Sequence, residues 1–149
     1  MIILAFIIVI LDQLTKYYAV SHLAGKEPFI IIKDFFQFSY VENRGAAFGI
    51  LQEQRLFFIM LTLIVILGII VYTKINKKLS KASKTSLGMI LGGAVGNFID
   101  RLRLGYVIDF IDFKFGKVYD FPVFNIADIF IVIGTFLLMY LIITDKYEK

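Results

Sequence analysis

The 149-residue chain has no cysteine, a single histidine and only two prolines. Without cysteine there is no thiol nucleophile, and the redox compartment cannot be read. His22, alone, cannot build the usual imidazole metal cluster, so neither a metal nor another cofactor is expected. With few prolines and 59% hydrophobic residues, the chain reads as one folded unit over residues 1–149, not as a disordered one. Charge is scarce too, with Asp, Glu, Lys and Arg making up only 19%. The net charge of +4 is no nucleic-acid footprint, because the basic residues gather in one segment, Lys74-Ile-Asn-Lys-Lys-Leu-Ser-Lys-Ala-Ser-Lys84.

What is present is long apolar sequence. Crossing roughly 30 Å of hydrocarbon at about 1.5 Å per residue takes about 20 residues. Four stretches approach that length: residues 2–20, 56–73, 86–104 and 125–144. Any one of them suits the core of a soluble protein, but four leave too little polar sequence to cover such a core. The expected fold class is therefore mainly α and integral to a membrane, with four transmembrane helices. Residues 2–20 lack a basic leader segment and are interrupted by Asp12 and Lys16, so they read as a retained helix and not a cleaved signal. Five lysines between the second and third stretches place that loop in the cytoplasm. Both termini are then cytoplasmic, and the connections at 24–55 and 103–123 fall on the outer side.

Polar residues inside these stretches need a reason, because ionisable groups at membrane depth are costly. Asn97, Asp100 and Arg101 lie towards the outer end of the third helix, spaced to share one face. Asp109 follows in the outer connection, within a looser stretch. Asn125 and Asp128 open the fourth helix, with Pro122 just ahead as a helix-start residue. These elements converge at one level, near the outer boundary. Gly88, Gly92 and Gly96 recur every four residues with Gly93 beside them, a small-residue stripe that lets helices approach closely in lipid. Asp12 and Lys16 form an i,i+4 pair that reads as structural, each charge offsetting the other.

A serine–lysine hydrolase needs a buried neutral lysine, and Lys16 is paired with Asp12. Paired carboxylates remain. Two aspartates sharing a proton form an acid–base couple, one taking a proton from attacking water and the other donating to the carbonyl oxygen. The candidates are Asp100, Asp109 and Asp128. Asp100 adjoins Arg101 and reads as part of a charge network, which favours Asp109 with Asp128. The rival is a small transporter or proton-conducting subunit, with Asp12, Lys16, Asp100 and Asp128 as an ion relay. A relay predicts polar groups spread across the bilayer; a peptidase predicts them gathered at one depth.

Four blocks occur in order: Asp12-Gln-Leu-Thr-Lys16; Asn43-Arg-Gly-Ala-Ala-Phe-Gly49; Gly92-Gly-Ala-Val-Gly-Asn-Phe-Ile-Asp-Arg101 with Gly105-Tyr-Val-Ile-Asp-Phe110; and Phe124-Asn-Ile-Ala-Asp128. Together they resemble the bacterial lipoprotein signal peptidases (type II), which are membrane aspartyl proteases, over essentially the whole chain. The resemblance implies a catalytic dyad of Asp109 and Asp128. It implies supporting or substrate-contacting roles for Asp12, Lys16, Asn43, Gly93, Asn97, Asp100, Arg101 and Asn125, with Asn43, Arg101 and Asn125 assigned to substrate. The implied substrate is a prolipoprotein carrying a diacylglyceryl cysteine, cut just before that cysteine at the outer face of the bacterial cytoplasmic membrane. The implied surroundings are membrane lipids, and the implied state is monomeric. Alternation in Asp34-Phe-Phe-Gln-Phe-Ser-Tyr-Val-Glu42 suggests short strands, which with Phe29 and residues 30–32 form a small extracytoplasmic β-like platform or a plain interfacial anchor. The second helix, lacking ionisable groups, is expected to provide packing.

Overall fold

A computed structural model of the chain describes residues 1–45, 52–115 and 119–149. Helix α1 (Ile2–Leu23) is followed by strands β1 (Phe29–Ile32) and β2 (Phe36–Asn43), then helices α2 (Arg55–Ile75) and α3 (Lys81–Arg103). Strands β3 (Val107–Phe115) and β4 (Tyr119–Asp120) lead to helix α4 (Ile126–Ile143). All four apolar stretches are helical. Three of them, α1, α2 and α4, are long and apolar enough to cross a membrane, and α3 is not among these. Its expected start at Ser86 also moves back: Ser80 caps the helix by accepting the Ser83 N–H, so the first turn lies in the lysine-rich segment.

The reason α3 differs is its place in the bundle. It buries eleven residues, against five in α1, three in α4 and none in α2. A helix shielded by its neighbours has no need of an apolar exterior, and it can carry glycine, serine and charge. The outer helices show the reverse, with Ile3 77%, Ile64 64% and Phe136 67% exposed, the surface expected of helices bathed in hydrocarbon.

The glycine stripe divides between two neighbours. A Cβ on Gly92 would lie 2.8 Å from Ile8 Cβ and 2.9 Å from the Ala5 carbonyl oxygen of α1. One on Gly93 would run into the Ala127 carbonyl of α4 and lie 2.7 Å from Ile131 Cγ1. Gly93→Ala must therefore push α3 and α4 apart. Overpacking of this kind costs about 1–3 kcal/mol, so a lowered Tm in detergent is expected. An unchanged Tm would show that the contact yields freely.

The small sheet is antiparallel in the order β1-β2-β3-β4. The Asp34–Glu42 alternation emerges as β2, and the chain turns into it through Asp34, whose φ of 58° is one that aspartate tolerates. Register pairs Phe36 with Phe113 and Phe38 with Ile111, then slips by one residue so that Val41 opposes Asp109. Bulges of this kind re-aim side chains beside functional sites. Asp109 thus sits in a regular strand and not in the looser stretch expected, because β2 supplies it with a partner. Along β3, side chains alternate: Ile108 and Phe110 join Ala19 of α1 in the apolar core, while Val107 and Asp109 face the other way.

Candidate active site

Residues 121–124 run beside β3 on the way to α4. Phe110 N–H and Ile111 N–H both donate to the Phe124 carbonyl, at 3.1 and 2.8 Å, and Phe124 N–H returns to Ile111 at 3.1 Å. This pairing carries the start of α4 to Asp109. The helix opens at Asn125, whose side-chain oxygen accepts the Asp128 N–H at 3.0 Å while Asp128 Oδ2 accepts the Asn125 N–H at 3.2 Å. That reciprocal capping box starts the helix where the sequence places it, with Pro122 upstream of the cap.

Three carboxamides converge on the two aspartates, all presenting N–H. Asn43 Nδ2 donates to Asp109 Oδ2 at 2.9 Å, and Asn125 Nδ2 to Asp109 Oδ1 at 2.6 Å. Asn97 Nδ2 donates to Asp128 Oδ1 at 2.7 Å. Each amide is turned this way by a donor at its oxygen end: Gly45 N–H for Asn43, Asp128 N–H for Asn125, and the Lys16 ammonium, at 2.8 Å, for Asn97. An ammonium offers donors only, so the Asn97 oxygen must face it and the amide nitrogen must face Asp128.

Lys16 is 2% exposed and lies 2.9 Å from Asp12 Oδ2 and 2.8 Å from Asp100 Oδ2. The expected link from Asp100 to the adjacent Arg101 is replaced by this ion pair, because Asp100 points at α1. Asp100 also accepts from Gln13 Nε2 at 2.9 Å and Ile108 N–H at 3.2 Å. Asp12, expected as the structural partner of Lys16, also ties in α4: its Oδ1 accepts the Ala127 N–H in the first turn of that helix at 3.0 Å. Gly96 makes room, since a Cβ there would lie 2.5 Å from Asp12 Oδ2.

Arg101 turns the other way, its guanidinium 4.9 Å from the centre of the Phe58 ring of α2 and its Nη2 3.4 Å from the Gly45 carbonyl. The ring face favours a cation at that range. Arg55, opening α2, donates to the Arg101 and Leu102 carbonyls, both at 2.9 Å, and so caps α3. Helix α2 therefore does more than pack. Gln13, Arg55 and Phe58 were missed from sequence; for Gln13 the signal was a carboxamide within an apolar run beside Asp12.

Asp109, Asp128, Asn43, Asn97 and Arg101 line one cleft of about 480 Å³, whose far wall is Ile129, Val132 and Ile133 of α4. Gly93 lies outside its lining and acts at the α3–α4 contact. Residues 46–49 of the Asn43–Gly49 block lie outside the described residues. Among the described residues no three His, Asp or Glu side chains are grouped to ligate a metal ion. Burial, and next the charge of Asp128, push the Asp109 carboxyl up to about 7, against the opposing pull of the Asn43 and Asn125 N–H groups. One buried carboxyl poised to hold a proton near neutral pH beside a second carboxylate is the chemistry of an acid–base pair.

Fold and site together define a class: a peptidase of the aspartic type built among apolar helices. A family model described as signal peptidase II matches residues 4–144, and the chain belongs to that family. It is 50% identical over 141 residues to a lipoprotein signal peptidase of Clostridium tetani, covering 94% of this chain and 90% of that one. With the lipoprotein signal peptidase of Caldanaerobacter subterraneus it shares 54% over 144 residues, covering 95% and 94%. Two solved bacterial membrane enzyme structures superimpose with TM-scores of 0.84 and 0.83 at 38% identity; both cover 97% of this chain, and 87% and 92% of their own.

Proposed function

We propose that the chain is an endopeptidase removing the signal peptide from diacylglyceryl-modified prolipoproteins, cutting just before the lipidated cysteine, with Asp109 and Asp128 as its catalytic dyad. The observation that carries this reading is the single cleft holding both aspartates, each oxygen of the pair accepting an N–H, with an apolar wall of α4 alongside. Asp109 holds the shared proton and donates it to the scissile carbonyl oxygen, while Asp128 takes one from the attacking water. Asn43 and Asn125 orient Asp109, Asn97 orients Asp128, and Arg101 faces the substrate. The whole chain acts as one unit with four membrane spans, α3 shielded among the others. Both termini lie in the cytoplasm, the dyad faces the outer side of the bacterial cytoplasmic membrane under the sheet platform, and the enzyme works as a monomer among membrane lipids.

The direct test is cleavage of a diacylglyceryl-modified prolipoprotein by purified protein in detergent, with the unlipidated precursor left intact. Failure to cut in a detergent or lipid that supports the fold would overturn the reading and favour the ion relay. A pH series adds a sharper expectation. The Asn43 N–H favours the ionised form of Asp109, so Asn43→Ala raises that group further. Activity depends on Asp109 keeping its proton, so the alkaline limb of kcat/KM, near 7 in the parent, moves to higher pH in the variant. A limb that stays put or moves down would contradict Asp109 as the acid.

A further inference from the structure

The strand that carries Asp109 has a second face with its own groove. Phe110, one residue on, points away from the dyad, and with Ala19, Leu23 and Phe38 it floors a groove of about 730 Å³ between α1 and the sheet. This groove shares no lining residue with the cleft of the two aspartates. Its α1 wall runs from Thr15 to Leu23, about 12 Å of helix at roughly 1.5 Å per residue. That is most of the depth of one hydrocarbon leaflet, half of roughly 30 Å. Two polar groups along the wall are already bonded within the helix: Thr15 Oγ1 donates to the Asp12 carbonyl at 2.8 Å, and His22 Nδ1 lies 3.0 Å from the Tyr18 carbonyl. Water would find few partners there, whereas an acyl chain needs none.

The mouth differs in kind. Lys26 and Glu27 lie just past the end of α1, both exposed, and neither has an ion pair among the described residues. One free charge of each sign stands at the polar end of an apolar slot of leaflet depth.

We propose that this groove is a binding site for a zwitterionic aminophospholipid, one acyl chain lying along Ala19, Leu23, Phe38 and Phe110, its phosphate at Lys26 and its ammonium at Glu27. The lipid belongs to the leaflet around the C-terminal half of α1 and supports β3 from behind, directly beneath the residue next to Asp109. The proposal rests on α1 lying in a membrane and not on the peptidase reading, so its test uses no activity.

Protein stripped of lipid in detergent is titrated separately with phosphatidylethanolamine, phosphatidylglycerol, diacylglycerol and inorganic phosphate, with bound lipid counted by native mass spectrometry and Tm followed in parallel. One phosphatidylethanolamine per chain is expected, retained several-fold better than the other lipids and raising Tm. In Lys26→Ala and Glu27→Ala, surface changes that leave the fold intact, the headgroup preference disappears; Ala19→Phe, filling the floor, removes retention altogether. Equal retention of all lipids by the parent, a preference for phosphatidylglycerol, or stabilisation by phosphate alone would each overturn the proposal. So would occupation of the groove by a second copy of the chain, seen as a dimer that excludes lipid.

Discussion

Asp109→Asn and Asp128→Asn are each expected to leave a folded protein that cleaves prolipoprotein about 1,000-fold more slowly or not at all. General acid–base transfer by a positioned group is worth on the order of 10²–10⁴ in rate, and neither carboxamide can carry the proton. At about 1.36 kcal/mol per factor of ten, a thousandfold loss is about 4 kcal/mol of barrier. Both variants also disturb the hydrogen bonds that hold the pair. Asparagine at 109 turns an N–H towards one of two amide donors, Asn43 Nδ2 or Asn125 Nδ2. Asparagine at 128 keeps an oxygen for only one of its two donors, Asn97 Nδ2 and the Asn125 N–H. Each therefore leaves a buried donor unmatched, costing about 1–3 kcal/mol of stability. Thermal unfolding in detergent must accompany the assay, and a variant that is folded and still cleaves would remove that aspartate from the dyad.

Lys16→Met is expected to be the most destabilising single change in the protein. It leaves Asp12 and Asp100, 0% and 3% exposed, facing each other with their shared cation gone. Removing one partner of a buried ion pair costs about 3–5 kcal/mol, and here two carboxylates lose it at once. The loss reaches the dyad as well: Asn97 Oδ1 keeps only the Asn125 Nδ2 donor at 3.1 Å, so the amide that presents its N–H to Asp128 is held less firmly. Adding Asp100→Asn to Lys16→Met removes one of the stranded charges and should recover part of the stability while activity stays low. If the double variant is no more stable than Lys16→Met, the network is not held by this charge balance. If Lys16→Met cleaves normally, Asn97 does not depend on the ammonium for its orientation.

How far the chain could be read in advance depends on what each feature rests on. Helices announced themselves by length and composition, since a run such as α2 has no other stable form in hydrocarbon. The i,i+4 relation of Asp12 and Lys16 is local, so their contact was legible. Asp100 pairing with Lys16 was not, because which face of α3 meets α1 is settled by Gly92 and Gly96 packing against Ile8 and Asp12, a long-range event. The strand holding Asp109 was hidden for the same reason: its partner β2 lies more than sixty residues earlier, and the register slip that sets Val41 against Asp109 leaves no mark in the sequence. The start of α4 at Asn125 was legible because an asparagine with an acid three residues on is a local capping signal.

The wall of α4 that borders the cleft also faces outward, with Val132 51% and Ile133 49% exposed. With α4 spanning the membrane as proposed, a cleft open on that side meets the bilayer and not the aqueous phase. Its substrate then arrives by sideways diffusion in two dimensions, and the quantity that governs encounter is the number of precursors per unit of membrane area. The enzyme's apparent affinity becomes a property of how crowded the sheet of lipid is: the same molecules of enzyme and precursor, spread through more membrane, meet less often even though nothing in the tube has been diluted with water.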